Sequence, residues 1–455
     1  MINLQSLVLD LPEDIKKYVL YGDFLRANKL IDVYEKRNIT KALEERLEYE
    51  RYVMKIIKNQ YIYTFDEAVK MCSEKLKDFK EEELFKFIED RLADFVYIDG
   101  KIMFYRRFLD TILAICPNID SRLKENKNIE EAKRKKEFFK NVTREIIEKG
   151  HKTYFIHIKT GIKLSKDVVR KGEKIRVHLP IPKPCIQISD INIIASNPKA
   201  KFIAPQDSNQ RTIYFEKEVK GEEEFTVEYS YKNSIEYNKL EPGKAEKGQP
   251  DFYTEELPPQ IVFTPYLKDL AKSIVGSEVN PIVKARKIYD YITKNVQYSF
   301  VRPYASIVNI PEYAAYNLKG DCGVQALLFI TLCRICKVPA RWQSGLYVNP
   351  YSIGCHDWAQ FYIAPYGWVF ADLSFGGSAY RNGNLERWNF YFGNLDPFRM
   401  VANSDFQGDF TPNKNFFRID PYDNQVGEAE YLDKPLEAKD FEVIKTIVDI
   451  HEVED

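Results

Sequence analysis

Three side chains in the second half of the chain have the types and the order needed for an activated thiol. Cys322 follows Asp321 and precedes the apolar run 326–332, which predicts a buried helix that begins near the cysteine. Asp321 is a good N-cap residue, so Cys322 falls in the first helical turn, where unpaired backbone N–H groups and the helix dipole favour the thiolate. A base, His356, and a carboxylate, Asp372, follow in that order.

Each of these residues also has an ordinary structural interpretation. A cysteine in an apolar helix is usually a small core residue. The chain has only five histidines, which makes His356 harder to dismiss. Asp372 lies inside the apolar run 368–375, where a carboxylate is costly unless it is paired. The three residues together favour a site over three unrelated core positions.

The spacing of the base and the acid predicts an antiparallel hairpin. Residues 358–363 and 368–373 are aromatic and β-branched runs, and the turn signature Ala-Pro-Tyr-Gly separates them. His356 then opens the first strand and Asp372 lies near the end of the second. In an antiparallel hairpin these two strand ends are neighbours. If the turn or a bulge puts both on one face, we expect Nδ1 of His356 within hydrogen-bond reach of the carboxylate. The thiol sulfur should then lie within about 4 Å of the other ring nitrogen.

These motifs together resemble the transglutaminase-like superfamily of papain-fold cysteine enzymes. The resemblance rests on Gly-x-Cys-x-x-x-Ala at 320–326, on His-Asp-Trp at 356–358, on Trp-x-x-x-Asp at 368–372 and on the segment 280–298 upstream, and it covers about 250–410. It implies that Cys322 is the nucleophile, His356 the base and Asp372 the orienting acid. No run matches the calcium-binding segments of animal transglutaminases, so we expect neither a metal nor a cofactor.

The resemblance implies thiol-dependent acyl transfer on a peptide or carboxamide bond of a protein or peptide substrate. A thioester on Cys322 would pass to water or to an amine, so hydrolysis and transamidation both stay open. The rival interpretation is a non-catalytic scaffold with the same fold that binds protein or carbohydrate. The two predicted accessory domains make up over half the chain, which favours protein or carbohydrate binding as part of the role.

Four aromatic residues are candidates for substrate contacts. All tryptophans of the chain lie within the predicted catalytic region, where large aromatic residues mostly pack the core. We expect one or two of them to line an acyl-substrate cleft. The second donor to the oxyanion is left open between Tyr298 and Gln325. The candidates are Trp342, Trp358, Trp388 and Tyr298.

Composition excludes two classes of partner and indicates a compartment. The 67 Lys and Arg nearly balance the 68 Asp and Glu, so no clustered basic footprint for nucleic acid is expected. No apolar stretch approaches the ~20 residues needed to span a membrane. The N-terminal residues lack a basic segment followed by an apolar one, and the seven cysteines have no regular spacing. These features predict a reduced, cytoplasmic protein.

The hydrophobic patterns predict a multidomain protein in three parts. Residues 1–148 show helical periodicity throughout and predict an all-α N-terminal domain, which ends in a charged connecting helix. Residues 149–237 change to period-two strands and predict a β-sandwich domain. A polar linker leads to an α+β papain-like catalytic domain at 250–455, and the alternating tail 441–453 predicts an edge strand.

Overall fold

The structure is a computed structural model that describes residues 3–124 and 129–454. The described residues divide into two compact units. The first comprises Met1–Arg134, Leu257–Val262 and Gln297–Asp321, and the second comprises Lys135–Glu256, Phe263–Val296 and Cys322–Asp455. This division places the predicted β-sandwich region and most of the predicted catalytic region in one unit.

The chain begins with mainly helical segments, continues with strands and then mixes the two. The helices are α1 (Glu13–Leu20), α2 (Phe24–Glu35), α3 (Lys41–Gln60), α4 (Phe65–Lys75), α5 (Glu81–Glu89), α6 (Phe108–Ile115), α7 (Ile129–Lys149), α8 (Pro265–Val275), α9 (Pro281–Asn295), α10 (Ile310–Asn317), α11 (Cys322–Ile335), α12 (Leu373–Arg381) and α13 (Leu385–Phe390). The strands are β1 (Tyr61–Thr64), β2 (Phe95–Ile98), β3 (Lys101–Tyr105), β4 (His151–Leu164), β5 (Lys174–Pro180), β6 (Ile188–Asn197), β7 (Phe202–Ile203), β8 (Thr212–Glu218), β9 (Glu224–Glu236), β10 (Gln297–Tyr298), β11 (Lys319–Gly320), β12 (Ala340–Asn349), β13 (Ser352–Ile363), β14 (Gly367–Ala371), β15 (Phe392–Gly393), β16 (Arg399–Asn403), β17 (Glu428–Tyr431) and β18 (Phe441–Val453). Short 3-10 helices occupy Leu4–Val8, Ile119–Arg122, Lys166–Val168, Pro242–Lys244, Tyr304–Ser306 and Ala438–Asp440.

The first unit is mainly helical but contains a small sheet, so the prediction of an all-α N-terminal region was wrong. Strands β1, β3 and β2 form an antiparallel sheet in that order. Asp99 and Gly100 close the β2–β3 hairpin with positive φ angles of 51° and 79°. An Asp-Gly pair between alternating apolar residues is a strong hairpin signal, because both turn positions need a left-handed backbone. The all-α prediction for residues 1–148 allowed no strands on either side of this turn.

The second unit contains the predicted hairpin within a five-stranded antiparallel sheet. Its strand order is β15-β14-β13-β12-β16. Helix α11 packs on β12 and β13, and Phe329 of α11 meets Phe361 of β13 edge to face at 5.7 Å between ring centroids. Helices α8, α9 and α12 pack around α11. Because α11 is apolar on all sides, it needs this cover from both sheet and helices.

Two four-stranded sheets complete the second unit. Their orders are β17-β5-β8-β7 and β18-β4-β9-β6, and Phe215 and Phe225 bring the two sheets into contact at 5.8 Å between ring centroids. Their arrangement as a β-sandwich stays a prediction. The tail forms the edge strand β18 beside β4, as predicted. Strands β17 and β18 therefore pair with strands of the predicted sandwich region. The bounds 250–455 of the catalytic region stay a prediction.

No helix among the described residues is both long enough and apolar enough to cross a bilayer.

Candidate active site

Cys322 is the first residue of α11, as predicted. The helix is buried from Gly323 to Arg334, and only its two end residues are partly exposed. The thiol therefore sits at the end of a helix that the core holds in place. Backbone N–H groups of a first helical turn lack helical partners, so this position suits a developing negative charge.

The hairpin that carries His356 and Asp372 is observed, with one change. Strands β13 and β14 pair antiparallel with Ala359 opposite Ala371. The second strand ends at Ala371, and Asp372 is the N-cap of α12, where its Oδ1 accepts a hydrogen bond from the Phe375 N–H at 3.0 Å. The prediction of a strand through residue 373 was wrong at this point, because an aspartate that satisfies a free helical N–H starts a helix.

His356 and Asp372 are brought together in the protein interior. The Nε2 atom of His356 lies 2.7 Å from Oδ2 of Asp372, and the two residues are 4% and 0% exposed. We expected Nδ1 to meet the carboxylate, and that assignment was wrong. In the observed ring orientation Nε2 faces Asp372, so Nδ1 is the ring nitrogen that is left for a proton transfer.

Aromatic rings set the orientation of the imidazole. Trp358 stacks on it with ring centroids 5.9 Å apart, Phe375 meets it edge to face at 4.7 Å, and Tyr347 does so at 6.1 Å. The indole N–H of Trp358 donates to Gln343 at 2.8 Å, which fixes the stacked ring. The packing therefore limits the directions in which His356 can turn.

Arg399 is a site residue that sequence reasoning missed. It is fully buried on β16 and forms ion pairs with Asp372 and, at 2.6 Å, with Asp396. Burial alone would raise the pKa of Asp372, but the charges of His356 and Arg399 more than offset this and hold that pKa well below its usual range. The available signal was an arginine at the start of the apolar run 399–402, which needs a buried anion.

Asp357 is the second residue that was missed, and it contacts the thiol. The sulfur of Cys322 donates a hydrogen bond to Oδ2 of Asp357 at 3.2 Å. Gln425 donates to Oδ1 of the same carboxylate at 2.6 Å, and the Asp423 carboxyl is hydrogen-bonded to it as well. Burial and the charge of Asp357 raise the pKa of Asp423 well above its usual range. The structure thus connects Cys322 to the neighbour of His356 on β13, and the only sequence signal was Asp357's place in the His-Asp-Trp motif.

The three tryptophans that were predicted to contact substrate lie in the protein interior. Trp342, Trp358 and Trp388 are 2%, 0% and 8% exposed. The indole N–H of Trp388 donates to Thr293 at 2.9 Å. A substrate contact by any of these indoles stays a prediction.

Tyr298 belongs to the other unit. It lies on β10, which pairs in parallel with β11, and its ring meets that of Phe300 edge to face at 5.7 Å. A substrate contact for Tyr298 stays a prediction.

The groups assembled on the five-stranded sheet and α11 have defined chemical capacities. A thiol at a helix start can act as a nucleophile, and an imidazole bonded to an ionised, buried carboxylate can act as a base in a fixed tautomer. As for metal ligands, no group of three or more His, Cys, Asp or Glu side chains in the described part of the chain could hold an ion.

Comparison with known proteins identifies the family of this region. Residues 268–373 match the model of the transglutaminase-like superfamily, so the chain carries a transglutaminase-like domain. The match begins in α8 and ends at the start of α12, and it includes Cys322, His356 and Asp372. None of the curated proteins compared with the chain is significantly similar to it.

Solved structures with a likeness to the chain include proteins of three bacteria. A candidate cysteine protease from Cytophaga hutchinsonii is 14% identical, with a TM-score of 0.38 over 67% of this chain and 90% of that one. The periplasmic domain of TgpA from Pseudomonas aeruginosa is 11% identical, with a TM-score of 0.27 over 55% of this chain and 96% of that one. A candidate protease from Parabacteroides distasonis is 12% identical, with a TM-score of 0.20 over 48% of this chain and 46% of that one.

Proposed function

We propose that the transglutaminase-like domain catalyses thiol-dependent acyl transfer at a peptide or carboxamide bond. The Cys322 sulfur attacks the carbonyl carbon while Nδ1 of His356 takes the thiol proton. The resulting imidazolium gives that proton to the leaving amine, and a thioester remains on Cys322. Water, or a second amine, then attacks the thioester with the proton transfers reversed. The backbone N–H of Cys322 at the helix start stabilises the oxyanion.

The observation that carries this proposal is the buried hydrogen bond between His356 and Asp372. An ionised carboxylate on Nε2 keeps the proton of a neutral imidazole on that atom, so that Nδ1 has a free lone pair and can act as a base. The same carboxylate stabilises the imidazolium that forms during attack. Arg399 supports this role, because its charge keeps Asp372 ionised in spite of complete burial.

A second candidate function is a non-catalytic scaffold that binds protein or carbohydrate. The observation that favours it is the enclosure of His356, which is 4% exposed and is contacted by the rings of Tyr347, Trp358 and Phe375. An imidazole enclosed in this way offers little surface to a substrate. We propose that the remaining regions bind protein or carbohydrate only because they make up a large part of the chain.

Thiol reactivity separates the two functions. We expect brief iodoacetamide treatment near neutral pH, followed by mass-spectrometric mapping, to label Cys322 first among the seven cysteines. Cys72 and Cys333 are fully buried, and burial raises the pKa of the Cys72 thiol to about 12. Cys355 is exposed and is the natural competitor, so the Cys355→Ala variant is the matched control.

A substrate screen completes the test. Peptide, isopeptide and glycopeptide amides are incubated with the wild-type protein and with Cys322→Ala as the blank. Turnover that disappears in the blank supports acyl transfer. Labelling that favours Cys116 or Cys355, together with no turnover of any amide, supports the scaffold.

A further inference from the structure

A pocket of about 290 Å³ lies beside the rings that surround His356. Tyr347 and Phe375 line this pocket and also contact the imidazole, so a single layer of rings separates the pocket from the base. The volume is at the lower end of small-molecule sites and fits one residue-sized group. The position next to His356 makes the pocket relevant to substrate choice.

The charged side chains that line the pocket are all cationic. Lys135 and Arg387 contribute to its wall, and no aspartate or glutamate does. The other side chains that line it include the rings of Phe139 and Tyr351. A pocket with this lining attracts a negative charge that is attached to a flat or apolar group.

Among the residues that the structure describes, Arg387 has no direct carboxylate partner, and the nearest acid that acts on it, Asp396, is bonded to it only through the Tyr391 hydroxyl. Within the described residues its hydrogen bonds go to the Tyr391 hydroxyl alone, at 2.8 and 3.3 Å, and no carboxylate lies within 4 Å of it. Its guanidinium lies over the rings of Phe139, Phe375 and Tyr391 at 5.3 to 5.9 Å from their centroids. A guanidinium that lines a pocket and has no direct carboxylate contact has donors left for an anionic ligand.

A second polar group of the pocket wall is also unpaired. The hydroxyl oxygen of Tyr347 is buried and has no hydrogen-bond partner in the described part of the chain. A carboxylate is planar and accepts hydrogen bonds at both oxygens, so it matches the fork of donors that a guanidinium offers.

We propose that this pocket binds a carboxylate of the substrate, carried on a flat or apolar group close to the amide that reacts. As a statement about substrates this inference rests on the proposed acyl transfer. As a statement about binding it rests on the pocket alone. The carboxylate is that of an acidic side chain or of a chain terminus, and both have the same recognition chemistry.

Calorimetric titration with matched probes tests the proposal. N-acetyl-L-glutamic acid α-amide represents an acidic side chain and N-acetyl-L-phenylalanine represents a chain terminus. The neutral controls are N-acetyl-L-glutaminamide and N-acetyl-L-phenylalaninamide. We expect at least one acid to bind about tenfold more tightly than its amide, because a charge-assisted hydrogen bond is lost in the amide.

Three variants test whether the preference for acid over amide depends on Arg387. Arg387→Met should abolish the preference for acid over amide, and Arg387→Lys should retain part of it, because lysine keeps the charge but not the planar fork. Arg381→Gln removes a charge from the exposed end of α12 outside the pocket and should leave the preference unchanged. Circular dichroism of each variant checks that it is folded.

The outcomes distinguish this inference from the proposed function. Equal binding of acid and amide, or a preference that survives in Arg387→Met or is lost equally in Arg381→Gln, overturns the pocket proposal even if the protein turns over amides. A preference that depends on Arg387 supports carboxylate binding even if no substrate is turned over. The pair of probes that shows the preference identifies the source of the carboxylate.

Discussion

Replacing Asp357 with asparagine should make the Cys322 thiol more reactive. In the resting structure the thiol donates a hydrogen bond to the Asp357 carboxylate at 3.2 Å, and a negative charge at that distance disfavours the thiolate. Asparagine keeps the shape of the side chain and can still accept the hydrogen bond from Gln425. Its amide can also donate to a thiolate, so the substitution changes the charge more than the packing.

The size of the effect follows from the distance. Two unit charges 3.2 Å apart repel by about 1.3 kcal/mol at the dielectric constant of water and by about 2.6 kcal/mol at half that value. We use this range because Cys322 is partly exposed. At 1.36 kcal/mol per pH unit, the midpoint of thiol ionisation should fall by about one to two pH units. Part of the gain in rate at a fixed pH is offset, because a less basic thiolate is a weaker nucleophile.

The assay is the rate of Cys322 alkylation by iodoacetamide as a function of pH, followed by mass spectrometry. Wild type, Asp357→Asn and the control Asp449→Asn, which removes an exposed carboxylate on β18, are compared. The midpoint should move down in Asp357→Asn and stay in place in the control. An unchanged or higher midpoint in Asp357→Asn would show that Asp357 is not ionised beside the thiol, and the reasoning would fail.

Four further predictions concern the same site. Arg399→Met should lower the free energy of unfolding by about 3–5 kcal/mol in urea titrations, because it leaves the buried carboxylates of Asp372 and Asp396 without the guanidinium that pairs with both, and an unchanged urea midpoint would contradict this. Asp372→Asn should slow turnover of any substrate by about 10⁴-fold, since the histidine tautomer is no longer held, and a small effect would argue against the orienting role. Cys322→Ala should abolish turnover with little change in melting temperature, because the thiol is only partly buried, and residual activity would remove the thiol as nucleophile. Burial raises the pKa of Asp423 in the folded protein, so its contribution to stability falls as the pH rises above about 4, and Asp423→Asn should lessen the fall of the melting temperature above that pH.

The local elements around the site were largely predictable from the sequence. The Gly-Asp-Cys start and the apolar run after it predicted α11, and the two aromatic runs around a Pro-Gly turn predicted the β13–β14 hairpin. The alternating tail predicted the edge strand β18. Each of these predictions depends on neighbours in sequence, whose periodicity and turn chemistry are visible in the chain itself.

Errors occurred where two local signals competed. Residues 1–148 were predicted to be all-helical, although the flanks of the Asp-Gly turn at 99–100 are rich in aromatic and β-branched residues, as strands are. Asp372 was placed inside a strand, although the same residue is a good N-cap and begins α12. Apolar runs of this length suit both helix and strand, and tertiary packing decides between them.

The sequence by itself determined the types and the order of the candidate groups and the secondary structure on which each lies: a cysteine at a helix start, a histidine on a strand and an aspartate at the end of the next strand. Only the tertiary structure decided which atoms meet. It turned Nε2 of His356 toward Asp372, brought Arg399 from β16 to the same carboxylate, and placed Asp357 against the thiol. The physical reason is that these contacts join residues from different strands and helices, whose relative positions depend on how side chains fill the space between the elements, a property of packing that periodicity along the chain does not record.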